Sequence, residues 1–357
     1  MLGLITEYTP YMVTYRYFQP YEVIDSVECA RKYIPMMREE GAEVIIVLTH
    51  FPFYYDETSE SGELIEVLDQ IADLHPDCMI GGHIPGDYAR VYKDCIVCKG
   101  GFGGVSLPHA ILYFDTETRK VIKREGEVID VKGGDFAHDP EIDRFVERVC
   151  GPHEYYFTEV IGEAVEDIPS RLDFEIPMAD LMADMIMDRF HTDFVYFNNT
   201  SLGRILPKGP LMRSSAMDIT GFNDPLYQSV YTGQQIWDLF ELVHDPDVFG
   251  NNGNISFAGF TVKMDHTKPK GHKVVYIHEP DGKDIDLKKE YTVTTSEYMS
   301  SGGNGTRAIA QSVTWNETGE RMFDLISNYI IKYGQLRCPQ LGRYIFIGKP
   351  ENDNSPW

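Results

Sequence analysis

The stretch from residue 42 to residue 83 carries the pattern that most restricts the fold of this chain. Residues 42–50, AEVIIVLTH, form a continuous apolar run that ends in a polar pair, as a buried parallel strand does at its carboxyl end. Residues 62–75, GELIEVLDQIADLH, are amphipathic with a helical period, and the short apolar run CMI follows. Strand, helix and strand in this order predict a βαβ unit and an α/β sandwich.

Two histidines follow the two predicted strands, at the edge of an open α/β sheet where ligands bind. His50 ends the first strand, and His83 comes after Gly81 and Gly82 in DCMIGGHIPGD. Paired glycines let the backbone turn sharply and approach a ligand closely, because they lack a Cβ atom and tolerate positive φ. Taken alone, His83 is better explained as a plain loop histidine. Paired with His50 at matching strand ends, it becomes a candidate metal ligand.

The rest of the chain indicates further elements and a second domain. Short β runs separated by glycines over residues 88–130 predict antiparallel strands that close the first domain. Residues 139–165 are polar and predict a helical connector. Beyond them, helix-like and strand-like stretches alternate, as in MADLMADMIMDRFH, DFVYFNN and TGQQIWDLFELV. We therefore expect domains at residues 1–135 and 169–357, with a connector helix at 136–168.

Charge and composition limit the classes of partner. The 357 residues include 56 Asp and Glu against 32 Lys and Arg, a formal net charge of -24. This charge argues against a nucleic-acid polymer or an anionic membrane as the main partner, and no apolar stretch approaches the length of a transmembrane span. Six cysteines are too sparse for a disulfide framework in a chain of this length. Cys95 and Cys98 form a CxxC without the second pair that a zinc knuckle needs.

Several segments together resemble one family. IIVLTH, followed about thirty residues later by IGGH, resembles the carboxyl half of a calcineurin-like metallophosphoesterase domain. RLDFEIPMADLMADMI, DFVYFNNTSLGR, GFNDPLYQSVYTGQQIWDLFE and EYTVTTSEYMSSGGNGT resemble the carboxyl-terminal domain of the 5′-nucleotidase family. The segments keep the family's order over nearly the whole chain. The resemblance implies a partial metallophosphoesterase-type α/β sandwich followed by an α+β substrate-binding domain.

The resemblance makes His50 and His83 ligands of a two-metal site, with Zn²⁺ or Mn²⁺ as the expected divalent ions. Pro85 stands where the family's turn carries a further ligand, and a proline side chain offers no lone pair. Asp87, two residues further on, is a candidate replacement. The family's Asp-x-His, Gly-Asp and Gly-Asn-His-Glu segments, with which its metallophosphoesterase domain starts, are not found ahead of IIVLTH here. We therefore expect a chain that begins inside that domain, as a fragment or a naturally shortened member.

The resemblance also assigns substrate-binding roles in the second domain. Arg171 and Arg204 sit where the family binds phosphate, a task that suits the planar guanidinium fork. Asn199 occupies a position that hydrogen-bonds substrate. Phe222 and Tyr298 match the aromatic pair that sandwiches the base. One further residue departs from the family: Asn304 stands where an aspartate usually binds the ribose hydroxyls, so an acceptor remains and the charge is lost.

The expected function is a 5′-nucleotidase-like, metal-dependent phosphohydrolase acting on nucleoside monophosphates or related phosphate esters. One alternative is a non-catalytic nucleotide-binding protein that keeps the specificity domain and has lost the two-metal site. A second alternative, within the enzyme class, is a different ester such as a cyclic nucleotide or a sugar phosphate. The sequence leaves the base, the metal and the compartment open.

Overall fold

The computed structural model of the chain describes residues 1–131, 136–170, 175–199, 202, 205–245, 247 and 255–348. The chain divides into two compact units. The first comprises Met1–Thr9 and Tyr21–Pro140, and the second comprises Pro10–Pro20 and Glu141–Trp357. The second unit therefore includes a short piece from near the start of the sequence.

Helices and strands occur throughout the described residues. The helices are α1 (Thr9–Met12), α2 (Tyr15–Phe18), α3 (Ser26–Glu39), α4 (Glu63–Ile71), α5 (Pro140–Thr158), α6 (Pro177–Phe190), α7 (Ser215–Ile219), α8 (Gly233–Val243), α9 (Glu297–Ser300), α10 (Arg307–Ala310) and α11 (Met322–Tyr333). The strands are β1 (Leu2–Ile5), β2 (Ile46–His50), β3 (Tyr54–Tyr55), β4 (Glu60–Ser61), β5 (Cys78–Ile80), β6 (Tyr88–Tyr92), β7 (Cys95–Lys99), β8 (Ser106–Asp115), β9 (Lys120–Asp130), β10 (Val160–Ala164), β11 (Phe194–Asn198), β12 (Gly209–Met212), β13 (Pro225–Thr232), β14 (Ile255–Ala258), β15 (Thr261–Asp265), β16 (Val274–His278), β17 (Glu290–Ser296), β18 (Asn316–Arg321), β19 (Gln335–Leu336) and β20 (Tyr344–Ile347). Within the described ranges, no helix has both the length and the apolar character needed to cross a bilayer.

A five-stranded sheet in the order β1-β2-β5-β7-β6 forms the centre of the first unit. β1, β2, β5 and β7 are parallel, and β6 pairs antiparallel with β7. The predicted βαβ unit is present as β2, α4 and β5. Leu48 pairs with Ile80, so the carboxyl ends of β2 and β5 lie side by side.

Both faces of this sheet are covered around β5 and β7. α3 and α4 pack on one face through buried residues such as Ile34 and Leu68. The β8–β9 hairpin covers the other face, where Ala110 packs against Cys98 and its neighbours. Because side chains alternate along a strand, Cys95 faces the helices while Cys98 faces the hairpin. The two cysteines of the CxxC therefore point to opposite faces.

A second five-stranded sheet, in the order β14-β11-β17-β13-β18, organises the second unit. β11 and β17 are parallel, and the other pairs are antiparallel. Val195 and Phe197 of β11 pack against α6 and α11, whereas Phe194 and Tyr196 pack against α8 on the other face. α8 begins with a capping box in which Thr232 and Gln235 satisfy each other's backbone donors. The predicted fold class, α/β followed by α+β, is confirmed.

Candidate functional site

The structure brings the two predicted metal ligands of the first unit together. His50 is the last residue of β2, and His83 follows β5 by three residues. Their ring centroids are 5.1 Å apart in an edge-to-face arrangement. A Cβ atom at Gly82 would lie 2.9 Å from Nδ1 of His50, so only glycine lets the turn pass this close to the ring. The histidine therefore explains Gly82, whereas a Cβ atom at Gly81 would lie 2.7 Å from Cδ1 of Leu64.

The His83 backbone and ring both suit a functional position. His83 has a φ of 66°, in the left-handed region that non-glycine residues seldom adopt and that occurs more often at functional sites. Burial lowers the pKa of the His83 imidazole, and neighbouring His50 lowers it further. The ring is therefore neutral at pH 7, which is the form that binds a metal ion.

A metal site on these residues is nevertheless incomplete. No group of three or more His, Cys, Asp or Glu side chains able to hold a metal ion occurs in the part of the chain that the structure describes. The carboxylate of Asp87 accepts a hydrogen bond from the hydroxyl of Ser106, which in turn accepts from the backbone N–H of Gly101 at 2.7 Å. Since even catalytic zinc sites use three protein ligands, the two histidines do not fit a complete site by themselves.

We expect this chain to bind at most one divalent metal ion, and weakly, because only two candidate ligands meet. Replacing either His50 or His83 with alanine should abolish the binding that remains. His109→Ala is the control, because this exposed histidine on β8 pairs with Glu127 instead. Zinc titration by calorimetry and elemental analysis of the purified chain measure the effect. Two tightly held metal ions per chain, or binding unchanged in His83→Ala, would contradict the ligand assignment.

Phe222, a predicted base platform, lies on the surface of the second unit. Its side chain is 59% exposed, although the ring is large and apolar. The backbone around it is fixed, because the hydroxyl of Thr220 donates to the carbonyl of Phe222 at 2.7 Å. Phe222 lines the mouth of a small cavity together with Asp224 and Ser296. The cavity is at most large enough for a single water molecule, so a flat ligand would bind against the ring rather than inside the cavity.

Asp224 is a candidate residue that the sequence reasoning missed. It is half-buried, and its side chain makes no hydrogen bond or ion pair within the described residues; only its backbone carbonyl accepts, from Met322 at 3.1 Å. Burial raises the pKa of this carboxyl, and the charge of Arg321 opposes the rise. A half-buried acceptor beside an exposed aromatic ring suits a polar ligand edge. In the sequence, Asp224 is simply the acid two positions after Phe222 in GFND, and this spacing alone does not distinguish it from an ordinary surface acid.

Tyr298, the other predicted platform, is partly buried and held on several sides. A Cβ atom at Gly303 would lie 2.4 Å from the ring, so the ring rests directly on that backbone. The Tyr298 hydroxyl lies 3.1 Å from Oδ1 of Asn304 and accepts the Asn304 backbone N–H at 3.1 Å. Burial raises the pKa of Tyr298, and the charge of Asp224 adds to the rise. Asp224 is thus electrostatically coupled to Tyr298 and shares a cavity with Phe222.

Of the polar residues Arg171, Asn199 and Arg204, which are predicted to contact the substrate, the structure describes one, Asn199. Asn199 directly follows β11, and its Oδ1 accepts a hydrogen bond of 2.5 Å from Ser256. Its NH₂ group has no hydrogen-bond partner within the described ranges and can donate to a ligand. The two predicted phosphate ligands, Arg171 and Arg204, lie outside the described residues.

Comparison with known proteins gives one family match and several structural matches. Residues 160–311 match the model of the 5′-nucleotidase C-terminal domain. The Bacillus subtilis endonuclease YhcR is 23% identical over 309 residues, an alignment that covers 84% of this chain and 24% of that protein. This chain therefore spans about a quarter of the length of that relative.

Solved structures extend the likeness in fold to nearly the whole chain. A 5′-nucleotidase precursor from Thermus thermophilus superposes with a TM-score of 0.71 at 18% identity, covering 92% of this chain and 68% of the other. A Staphylococcus aureus protein named as a 5′-nucleotidase, solved with alpha-ketoglutarate, gives 0.70 at 17% identity, covering 96% and 72%. At these identities the likeness concerns the fold. The resemblance inferred from the sequence is confirmed: this chain has a 5′-nucleotidase fold and carries the C-terminal domain of the 5′-nucleotidase family at residues 160–311.

Proposed function

We propose that this chain belongs to a metal-dependent phosphohydrolase acting on nucleoside monophosphates or related phosphate esters, and that its second unit binds the nucleoside. One observation carries the proposal: the exposed Phe222 and the half-buried Asp224, both within the matched domain, line one small cavity. An aromatic face stacks on any base, because every base has a π face. A carboxylate beside it accepts hydrogen bonds from a ribose hydroxyl or an exocyclic amine.

The other predicted residues take complementary parts in this proposal. Arg171 and Arg204 bind the phosphate bidentately, Asn199 donates to the substrate, and Tyr298 forms the second aromatic wall. His50 and His83 contribute to a divalent metal site that needs further ligands. We propose domains at residues 1–135 and 169–357, with the metal ligands in the first and the nucleoside contacts in the second. Residues 10–20 and 141–168 group with the second unit, and β10 lies within the proposed connector at 136–168, so the second domain extends beyond these bounds.

Replacing Phe222 with alanine should weaken adenosine binding by about 1–3 kcal/mol, because base–aromatic stacking has that magnitude. Calorimetric titration of adenosine and adenosine monophosphate into the full chain measures the effect. Asp224→Asn should weaken adenosine binding as well, through the lost charge on the acceptor. Arg204→Ala should remove the preference for the monophosphate and leave adenosine binding unchanged, because the phosphate alone contacts the arginine.

Phe145→Ala is the matched control for Phe222→Ala. Phe145 lies on α5 in the same unit with a similar exposure of 53%, and it is outside the matched domain. Its loss should leave adenosine affinity unchanged. If Phe222→Ala binds adenosine as the wild type does while remaining folded, the ring is not a base platform and the proposed function loses its main support.

The incomplete histidine pair favours a second candidate function. A chain with two adjacent histidines and no third ligand among its described residues is suited to bind a nucleotide without hydrolysing it. Measuring phosphate release from adenosine monophosphate in the presence of Mn²⁺ or Zn²⁺ separates the two functions. Binding without turnover would favour the non-catalytic nucleotide-binding protein, and turnover that chelation removes would favour the hydrolase.

A further inference from the structure

Residues 10–20, which carry α1 from its second residue and all of α2, hold the hydroxyl of Tyr298. This segment is part of the second unit although it lies far from Tyr298 in sequence. The hydroxyl of Tyr298 donates to the backbone carbonyl of Tyr11 at 3.0 Å, while the backbone N–H of Asn304 donates to the same hydroxyl. The Tyr298 ring also lies on the backbone of Gly303. Hydrogen bonds at the hydroxyl and this contact on the ring face together set the orientation of the side chain.

Two arginines connect segment 10–20 to the rest of the second unit. The guanidinium of Arg307 lies 3.7 Å from the centroid of the Tyr15 ring, and its Nη2 donates to the carbonyl of Pro10 at 3.2 Å. The first contact is a cation–π interaction on an aromatic face. The backbone N–H of Tyr15 also donates to the hydroxyl of Ser301 at 3.4 Å. These contacts tie the segment to the loop that follows Tyr298.

The second anchor is Arg16, which contacts the residue that directly precedes Tyr298. Arg16 forms an ion pair with Glu297, and its Nη1 donates to the hydroxyl of Tyr227 at 3.0 Å. The hydroxyl of Tyr17 donates to the same Glu297 carboxylate at 3.0 Å. Glu297 is only 8% exposed, so its charge depends on these partners. Adjacent residues at the start of α9 are therefore both fastened to segment 10–20.

We propose that segment 10–20 positions the Tyr298 ring for the nucleoside base, and that Arg16 and Arg307 are positioning residues for base recognition. The inference rests on the proposed function, because it takes Tyr298 as one wall of the base site. A ring that is already oriented loses less conformational freedom when a base stacks on it, so pre-organisation strengthens binding. Neither arginine needs to contact the ligand. The affinity for ligands that contain a base should depend on segment 10–20, whereas the affinity for inorganic phosphate should not.

The test compares adenosine and inorganic phosphate binding to the full chain by calorimetry. Arg307→Ala, Arg16→Ala and Tyr298→Phe should each weaken adenosine binding roughly 3- to 10-fold, because each loosens the ring without removing it. Phosphate binding should stay as in the wild type. Combining Arg307→Ala with Tyr298→Phe should add little to either single change, because both act through one tether. This non-additivity is a result that general destabilisation would not produce.

Arg213→Ala is the matched control, because Arg213 also pairs with a glutamate, Glu159, and lies 4.5 Å over a tyrosine ring, that of Tyr156. It should leave adenosine binding unchanged, and circular dichroism should show all variants folded. If the wild type and Arg213→Ala bind adenosine and Phe222→Ala does not, but Arg307→Ala and Tyr298→Phe bind like the wild type, the positioning role is overturned and the proposed function stands. If the wild type binds no adenosine, the proposed function and this inference both fail.

Discussion

Replacing Arg343 with alanine is expected to lower the free energy of unfolding by about 3 kcal/mol, because this residue neutralises a cluster of acids in the second unit. Its guanidinium forms two parallel hydrogen bonds to the Asp184 carboxylate, at 2.8 and 2.9 Å, and its Nε lies 3.2 Å from Asp180. Glu175 accepts the backbone N–H of Arg343 at 2.8 Å. Without the arginine, three acids remain close together and no cation in the described contacts replaces it.

Burial moderates the size of this effect through Asp180. The side chain is only 2% exposed, and burial raises its pKa to about 8 against the opposing charge of Arg343. With this pKa, Asp180 is mostly protonated at neutral pH even with the arginine in place, so the ion pair that Arg343→Ala removes is mainly the one with Asp184. For this reason the expected loss lies at the lower end of what breaking a buried ion pair costs.

Lys332→Ala provides the control in the same unit. Lys332 pairs with Asp188 at 2.8 Å, also on α6, but the lysine side chain is 55% exposed. An exposed pair of this kind contributes little to stability, because water screens the two charges. Urea unfolding of the wild type and both variants measures the difference. If Arg343→Ala destabilises the chain no more than Lys332→Ala does, the acids around Arg343 are already neutral in the folded state and the ion cluster contributes little.

The sequence pattern was sufficient to predict the histidine pair. His50 and His83 were expected to meet because parallel strands end at one edge of a sheet, and the register of β2 against β5 brings their rings within contact. Hydrophobic period and glycine placement are local properties, so they can be interpreted without a fold. The α/β class of the first domain followed from the same kind of pattern, whereas the α+β class of the second domain was what the family resemblance implied.

The surroundings of Tyr298 could not be predicted in this way. Residues 10–20 fall inside the predicted first domain, 1–135, whereas their contacts place them in the second unit. The partners Tyr11 and Tyr298 are 287 positions apart, and no local pattern reports such a pairing. Asp224 was missed for a related reason, because the lack of a partner for its carboxylate among the described residues becomes visible only when its neighbours are in place.

Lys99, in the first unit, should make the free energy of unfolding depend on pH. The residue is 1% exposed at the end of β7, and its Nζ donates to the carbonyl of Phe53 at 2.7 Å. The rings of Phe53 and Tyr55 lie 4.8 and 5.0 Å from the ammonium. No carboxylate pairs with it among the described residues, and burial lowers its pKa to about 8.

The contribution of Lys99 to the unfolding free energy should therefore rise with pH between about 8 and 10.5. In this range the unfolded chain, with a lysine pKa of 10.5, binds a proton that the folded chain has released, and stability increases wherever the unfolded state binds more protons. The gain from this residue amounts to up to about 3 kcal/mol. Below pH 8 both states are protonated, and the charged amine makes its full unfavourable contribution.

Lys99→Met isolates this contribution, because methionine keeps an unbranched apolar side chain and cannot titrate. We expect the wild type to gain stability relative to Lys99→Met from pH 7 to pH 10.5, by up to about 3 kcal/mol, in urea unfolding at each pH. Comparing the two chains cancels all other titrating groups. Lys32→Met is the control, because Lys32 is exposed and lies 4.9 Å over the ring of Tyr33 in the same unit. Parallel pH profiles for the wild type and Lys99→Met would show that the buried amine keeps its ordinary pKa, and that the Phe53 carbonyl and the two rings stabilise its charge as well as water does.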